Sequence, residues 1–330
     1  MKKLKQLFFL SFIFSSVFLI ESCSNDDNSS TEDETVIYEL PEIDEQSSSE
    51  GYFIIKKQVP YVKIPVTNDV SKLLYDKDEK DVNTKELKDT VLVYIQGGPV
   101  HLINYQGMLS ILDNYVQESV SKNYSFVEIR QYHDYNPTVF GSGTTCTDQI
   151  AEYSNSQTLD MIEKTVKSLK SINKVVYLLG HSNGSFMVQD YINNNKTSAD
   201  GYLIAGTRIK KVQAFFDYYP KDKDITFTNG TDVTVKDVPT DEIPYFNVVR
   251  KLQLNHFKDY TSLLLSKSTQ FPKMYYAFGG QDINLGKIEQ DEFDFLNNNK
   301  INYSYNEYYD HSWTIIDVLD NGMKYFRTLK

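Results

Sequence analysis

A chain of 330 residues with 34 basic and 45 acidic side chains carries a formal net charge of −11, which would repel a polyanion and argues against a nucleic-acid partner. The 40% hydrophobic and 24% charged content is that of a globular protein, and the length suits one large α/β domain with an insertion better than two small domains.

The first residues read as an export signal. Lys2, Lys3 and Lys5 precede an apolar stretch, Leu7 to Ile20, that is too short to span a bilayer stably. Ile20-Glu21-Ser22-Cys23 resembles a bacterial lipobox. The resemblance implies a signal peptide over 1–22, removed before Cys23, and lipid on Cys23 that anchors the mature chain in the bacterial cell envelope, on the outer membrane, without a transmembrane helix. Residues 23–50 are poor in apolar side chains and rich in Ser, Asp and Glu, the composition of a disordered acidic tether. Within it, Ser24-Asn25-Asp26-Asp27 resembles the acidic signals that follow the lipidated cysteine in surface-exposed lipoproteins of the Bacteroidota. With Cys23 lipidated, Cys146 has no partner and is expected to be structural.

Residues 51–330 form the expected catalytic domain. Tyr52 to Lys56 and Tyr61 to Val66 are β-rich runs around Pro60 and predict an antiparallel pair, after which the charged stretch Asp69 to Asp89 predicts a surface loop. Thr90 to Ile95 is a run suited to a strand buried on both faces, and it ends in Gln96-Gly97-Gly98-Pro99. A helix is predicted over 101–120 and a strand over 125–129. A long loop, 130–147, then carries His133 and Asp134, read as solvated. The spacing of Leu159, Ile162, Val166 and Leu169 predicts a helix over 156–172, capped by Ser154 or Ser156.

Val175 to Leu179 predicts the next buried strand, and Gly180-His181-Ser182-Asn183-Gly184 follows it without a spacer. Phe186, Met187, Val188, Tyr191 and Ile192 continue with helical spacing. A strand, a G-x-S-x-G turn and a helix together make a nucleophile elbow, in which a serine on a strained turn is presented at a helix N-terminus. At this point the chain resembles the α/β-hydrolase superfamily. The resemblance implies the α/β-hydrolase fold, a mostly parallel central sheet with helices on both faces, and Ser182 as nucleophile.

After a short strand at 201–205 the rhythm breaks. Residues 206–270 are expected to form a cap insertion with a helix over 248–265, on which His256 is expected at the surface. Strands return at 273–278, ending in Gly279-Gly280-Gln281-Asp282, and at 301–307, ending in Tyr308-Tyr309-Asp310-His311. Ser182, Asp282 and His311 therefore follow the chain order of nucleophile, acid and base expected of this fold, with each late residue just past a strand. Asp310 is the competing acid but adjoins His311 too closely to reach its ring, and His181, inside the elbow, should point into the scaffold.

In this arrangement His311 takes the proton of Ser182 as the serine attacks a carbonyl, and Asp282 holds the imidazole tautomer. The oxyanion donors are the backbone N–H groups of Gly98 and Asn183, with Gly97 as the alternative, because Pro99 has no N–H. This chemistry needs no cofactor and no metal. Gly97-Gly98-Pro99 and the elbow resemble the prolyl aminopeptidase branch, and the resemblance implies a small ester or peptide as substrate. Gln96, Val100 and Asn183 depart from that branch, which leaves ester and amide cleavage equally open. A non-catalytic surface lipoprotein that keeps the fold for ligand binding is the alternative.

Overall fold

The computed structural model describes residues 52–55, 74–75, 87–98, 123–129, 131–132, 146–194, 196, 198–240, 242–265 and 271–328. The signal peptide, Cys23, the tether, the Tyr61 to Val66 run, the helix expected over 101–120, His133 and Asp134 lie outside the described residues.

Thr90–Ile95 (β3), Tyr124–Ile129 (β4), Val175–His181 (β5), Gly201–Ala205 (β6), Met274–Gly279 (β9) and Asn302–Asn306 (β10) run parallel in one sheet. Tyr52–Ile55 (β1) joins β4 in parallel, and Leu74–Tyr75 (β2) pairs with β1 antiparallel, giving the order β10-β9-β6-β5-β3-β4-β1-β2. The antiparallel partner of the first strand therefore comes from within the stretch expected to be a surface loop. β3, β4, β6 and β9 are buried at every position, as strands covered on both faces must be.

The two faces are covered by different parts of the chain. Val91, Val93, Ile95, Val176 and Leu178 pack with Leu159, Ile162 and Val166 of Asp148–Ser171 (α1) and with Phe186, Met187 and Tyr191 of Asn183–Asn193 (α2). Leu92, Tyr94, Tyr177, Leu179 and Leu203 face Ile315 of Trp313–Asp317 (α7), Val318 and Leu319 of the π-helical turn Val318–Gly322, and Met323 and Phe326 of Met323–Thr328 (α8). A mostly parallel sheet with helices on both faces is the architecture expected of the α/β-hydrolase fold.

Two helices differ from expectation. α1 begins at Asp148, capped by the Thr147 hydroxyl, which accepts from the Ile150 N–H at 3.2 Å, and not at Ser156. Its first turns carry buried Ser154 and Asn155 in place of apolar residues, because Asn155 donates to the Leu252 carbonyl at 2.9 Å on another helix. That helix is Ile243–His256 (α4), and the single helix expected over 248–265 is broken after it. Asp259 takes the N–H of Thr261 at 3.1 Å and starts Tyr260–Leu265 (α5).

Between β6 and α4 the chain forms Gln213–Tyr218 (α3) and an antiparallel hairpin, Lys223–Thr228 (β7) with Asp232–Asp237 (β8). Gln290–Asn298 (α6), which carries a capping box made by Glu289 and Glu292, connects β9 to β10. No helix among the described residues is long and apolar enough to cross a membrane.

Candidate active site

The chain leaves β3 to form β4 on one side of it and returns to form β5 on the other. In a parallel sheet such a reversal opens a crevice at the carboxyl ends of the two strands. Gly97 and Gly98 follow β3 and Ser182 follows β5, so both line that crevice.

Ser182 has φ 55° and ψ −125°, a strained conformation for a residue with a side chain. The turn is possible only because its flanks are glycines. A Cβ on Gly180 would lie 2.5 Å from the Gly184 carbonyl oxygen, and one on Gly184 would lie 2.0 Å from that of Ile95. The elbow is thereby pressed against β3. Gly97 packs so closely that its Cβ position is 3.0 Å from the Ser182 Cβ and 3.5 Å from Oγ. The Ser182 N–H is taken by the Ala205 carbonyl at 3.1 Å, and α2 begins at the next residue. Gly98 has φ 112°, and its carbonyl accepts from Gln253 of α4 at 3.4 Å, which brings the stretch between β6 and β9 over the Gly-Gly turn. Burial keeps the Tyr94 phenol protonated, and it is bonded to the Gly97 backbone.

Asp282 and His311, past β9 and β10, stand at the same end of the sheet. His311 Nδ1 and Asp282 Oδ2 are 2.7 Å apart and both residues are buried. The other carboxylate oxygen accepts from the Asn284 and Leu285 N–H groups, each at 2.9 Å. Burial opposes ionisation of Asp282, but His311 and these two N–H groups outweigh it and hold the carboxyl below the usual range. Burial also opposes protonation of His311, and the Asp282 charge and hydrogen bond outweigh it, so the imidazole pKa is raised. Gly206, at φ +56°, lies under this ring: a Cβ there would be 3.0 Å from His311 Cε1.

Asp310 is exposed and accepts from the N–H groups of Ser312 and Trp313, at 2.8 and 3.1 Å, so its carboxylate opens α7. His181 does point into the scaffold. Its Nε2 is 3.1 Å from the His311 carbonyl, and the two rings lie 4.8 Å apart.

His256, expected on a helix surface, is completely buried. Its Nδ1 is 2.6 Å from Asp190 of α2, which Lys258 also binds at 2.8 Å, so a buried carboxylate draws it inward. Cys146 is free and buried, its thiol pKa raised by burial. Glu289, Asp291 and Glu292 cluster, but each is already paired, the two glutamates with Arg208 and Asp291 with Lys210.

Structural comparison finds a monoglyceride lipase from Saccharomyces cerevisiae, at 13% identity and TM-score 0.45 over 74% of this chain and 88% of that one. It also finds a lipase-esterase related protein from Clostridium acetobutylicum, at 10% and 0.44 over 73% and 94%, and a hydrolase from Oleispira antarctica, at 10% and 0.42 over 72% and 90%. No family model matches the sequence, and no curated protein matches it significantly.

Proposed function

We propose that the protein is a serine hydrolase that cleaves a carboxylic ester or an amide bond through an acyl-enzyme on Ser182. The observation that carries this reading is the coincidence, at one end of the sheet, of a strained serine in the β3/β5 crevice with a buried Asp282–His311 hydrogen bond at 2.7 Å.

In the proposed reaction neutral His311 accepts the Ser182 hydroxyl proton while Oγ attacks the substrate carbonyl. Asp282 holds the Nδ1–H tautomer and stabilises the imidazolium. The backbone N–H groups of Gly98 and Asn183 receive the oxyanion. The imidazolium protonates the leaving group, and water, deprotonated by His311, releases the acid. Residues 206–270 form the cap that shapes the pocket, supported by Gln253 reaching Gly98. The chain is held at the bacterial envelope through lipid on Cys23, and residues 23–50 set its distance from the bilayer.

A fluorophosphonate probe tests the reading: wild type labels and Ser182→Ala does not. A folded wild-type protein that stays unlabelled favours a binding lipoprotein. Turnover of short-chain aryl esters against aminoacyl amides then assigns the bond cleaved.

A further inference from the structure

Alternation along β5 places His181 on the same face as Tyr177 and Leu179, the face covered by the C-terminal helices. An imidazole among such neighbours needs a partner, and it finds one in the backbone of His311. The His311 carbonyl accepts two hydrogen bonds, from Thr314 Oγ1 at 2.7 Å and at His181 Nε2 at 3.1 Å. The Thr314 bond is local, closing the first turn of α7. The His181 bond spans 130 residues and joins the strand that carries the nucleophile to the loop that carries the base. A carbonyl only accepts, so His181 must carry its proton on Nε2. Burial and the neighbouring His311 push the His181 pKa down to about 3, which keeps the ring neutral.

We infer that His181 is a positioning residue: its Nε2–H holds the His311 backbone in register with Ser182, the residue that immediately follows the strand. The inference rests on the reading of Ser182 and His311 as nucleophile and base. The His311 ring is fixed at Nδ1 by Asp282 and its carbonyl by His181 and Thr314, which leaves Nε2 to reach the serine. Without the His181 bond, the hydrogen bonds of the base loop run to its own helix turn, through Thr314, and to the stretch after β9, where Asp282 meets the His311 ring and the Gln281 N–H donates to the Tyr309 carbonyl at 2.9 Å. Small displacements of a base from its nucleophile are costly, about 100-fold in rate for ~1 Å.

The test compares His181→Leu with His181→Gln in the full chain. Glutamine can place an N–H where Nε2 sits, and leucine cannot. His181→Leu is expected to lower kcat for an aryl ester between about 10- and 100-fold with KM and Tm little changed. His181→Gln is expected to recover most of that loss. Unchanged kcat in His181→Leu, or a folded His181→Gln as impaired as His181→Leu, overturns the proposal. A readout independent of activity is the imidazole nitrogen NMR spectrum of the wild type: an Nε2–H tautomer for His181 supports the bond, and an Nδ1–H tautomer overturns it. A wild type that fails to label with fluorophosphonate counts against Ser182 as nucleophile, and the tautomer then decides the His181 bond separately.

Discussion

Asp282 and His311, 29 residues apart in sequence, meet through a 2.7 Å bond between Oδ2 and Nδ1, and the remaining carboxylate oxygen is held by two backbone N–H groups. The carboxylate is therefore oriented before it meets the imidazole. Asp282→Asn keeps the shape but presents an amide that can donate, which favours the wrong imidazole tautomer. Steady-state ester hydrolysis should show kcat reduced on the order of 10³–10⁴-fold, with the circular dichroism spectrum unchanged.

The same bond sets a pH dependence. His311 must be neutral to act as base, and its pKa is raised above the ordinary 6.5. The acid limb of the kcat/KM profile should therefore fall above pH 6.5. The stability signs are opposite for the two partners. The raised His311 contributes fully below its unfolded pKa, and that contribution is lost as pH rises through the folded value. The lowered Asp282 contributes above its ordinary 3.8 and is lost as pH falls through its folded value. Tm measured against pH should show the pair's contribution between those limits, and His311→Ala should remove it.

Much of this site was legible in the sequence for a definite reason. Strands buried on both faces, such as β3 and β5, leave uninterrupted apolar runs, and Gly180 and Gly184 lie against backbone atoms that leave no room for a Cβ. The inward direction of His181 follows from alternation within its own strand. The features that were not legible depend on partners far along the chain. His256 is buried because Asp190 awaits it 66 residues earlier, and the early turns of α1 are polar because Asn155 bonds to Leu252 across 97 residues. Neither leaves a periodic trace.

The glycines of the elbow and of the turn after β3 should separate folding from chemistry. A Cβ on Gly184 would sit 2.0 Å from the Ile95 oxygen and 2.7 Å from that of Gln96, both backbone atoms that cannot swing away. Gly184→Ala should cost about 3 kcal/mol or more and lower Tm by several degrees. At Gly97 the nearest atom is the Ser182 Cβ at 3.0 Å. Gly97→Ala should keep its thermal transition near that of wild type and lose fluorophosphonate reactivity, because the added methyl crowds Ser182.

Two residues past Gly206, Arg208 forms a buried ion pair with Glu292 whose loss should reach the site. Arg208 Nε donates to Glu292 Oε2 at 2.8 Å, and the other oxygen of Glu292 accepts from the Ile209 and Lys210 N–H groups at 2.7 and 3.0 Å. Together these bonds pin the segment after β6 to the start of α6, and that segment begins with Gly206, packed under the His311 ring. Arg208→Met strands a buried carboxylate and should destabilise the fold by about 3–5 kcal/mol. The double variant Arg208→Met with Glu292→Gln removes that unpaired charge, so its urea midpoint should recover part of the loss. If Gly206 positions the base, kcat should remain reduced in the double variant at a temperature where it is fully folded, because the link from the β6 segment to α6 is weakened while the charge penalty is gone.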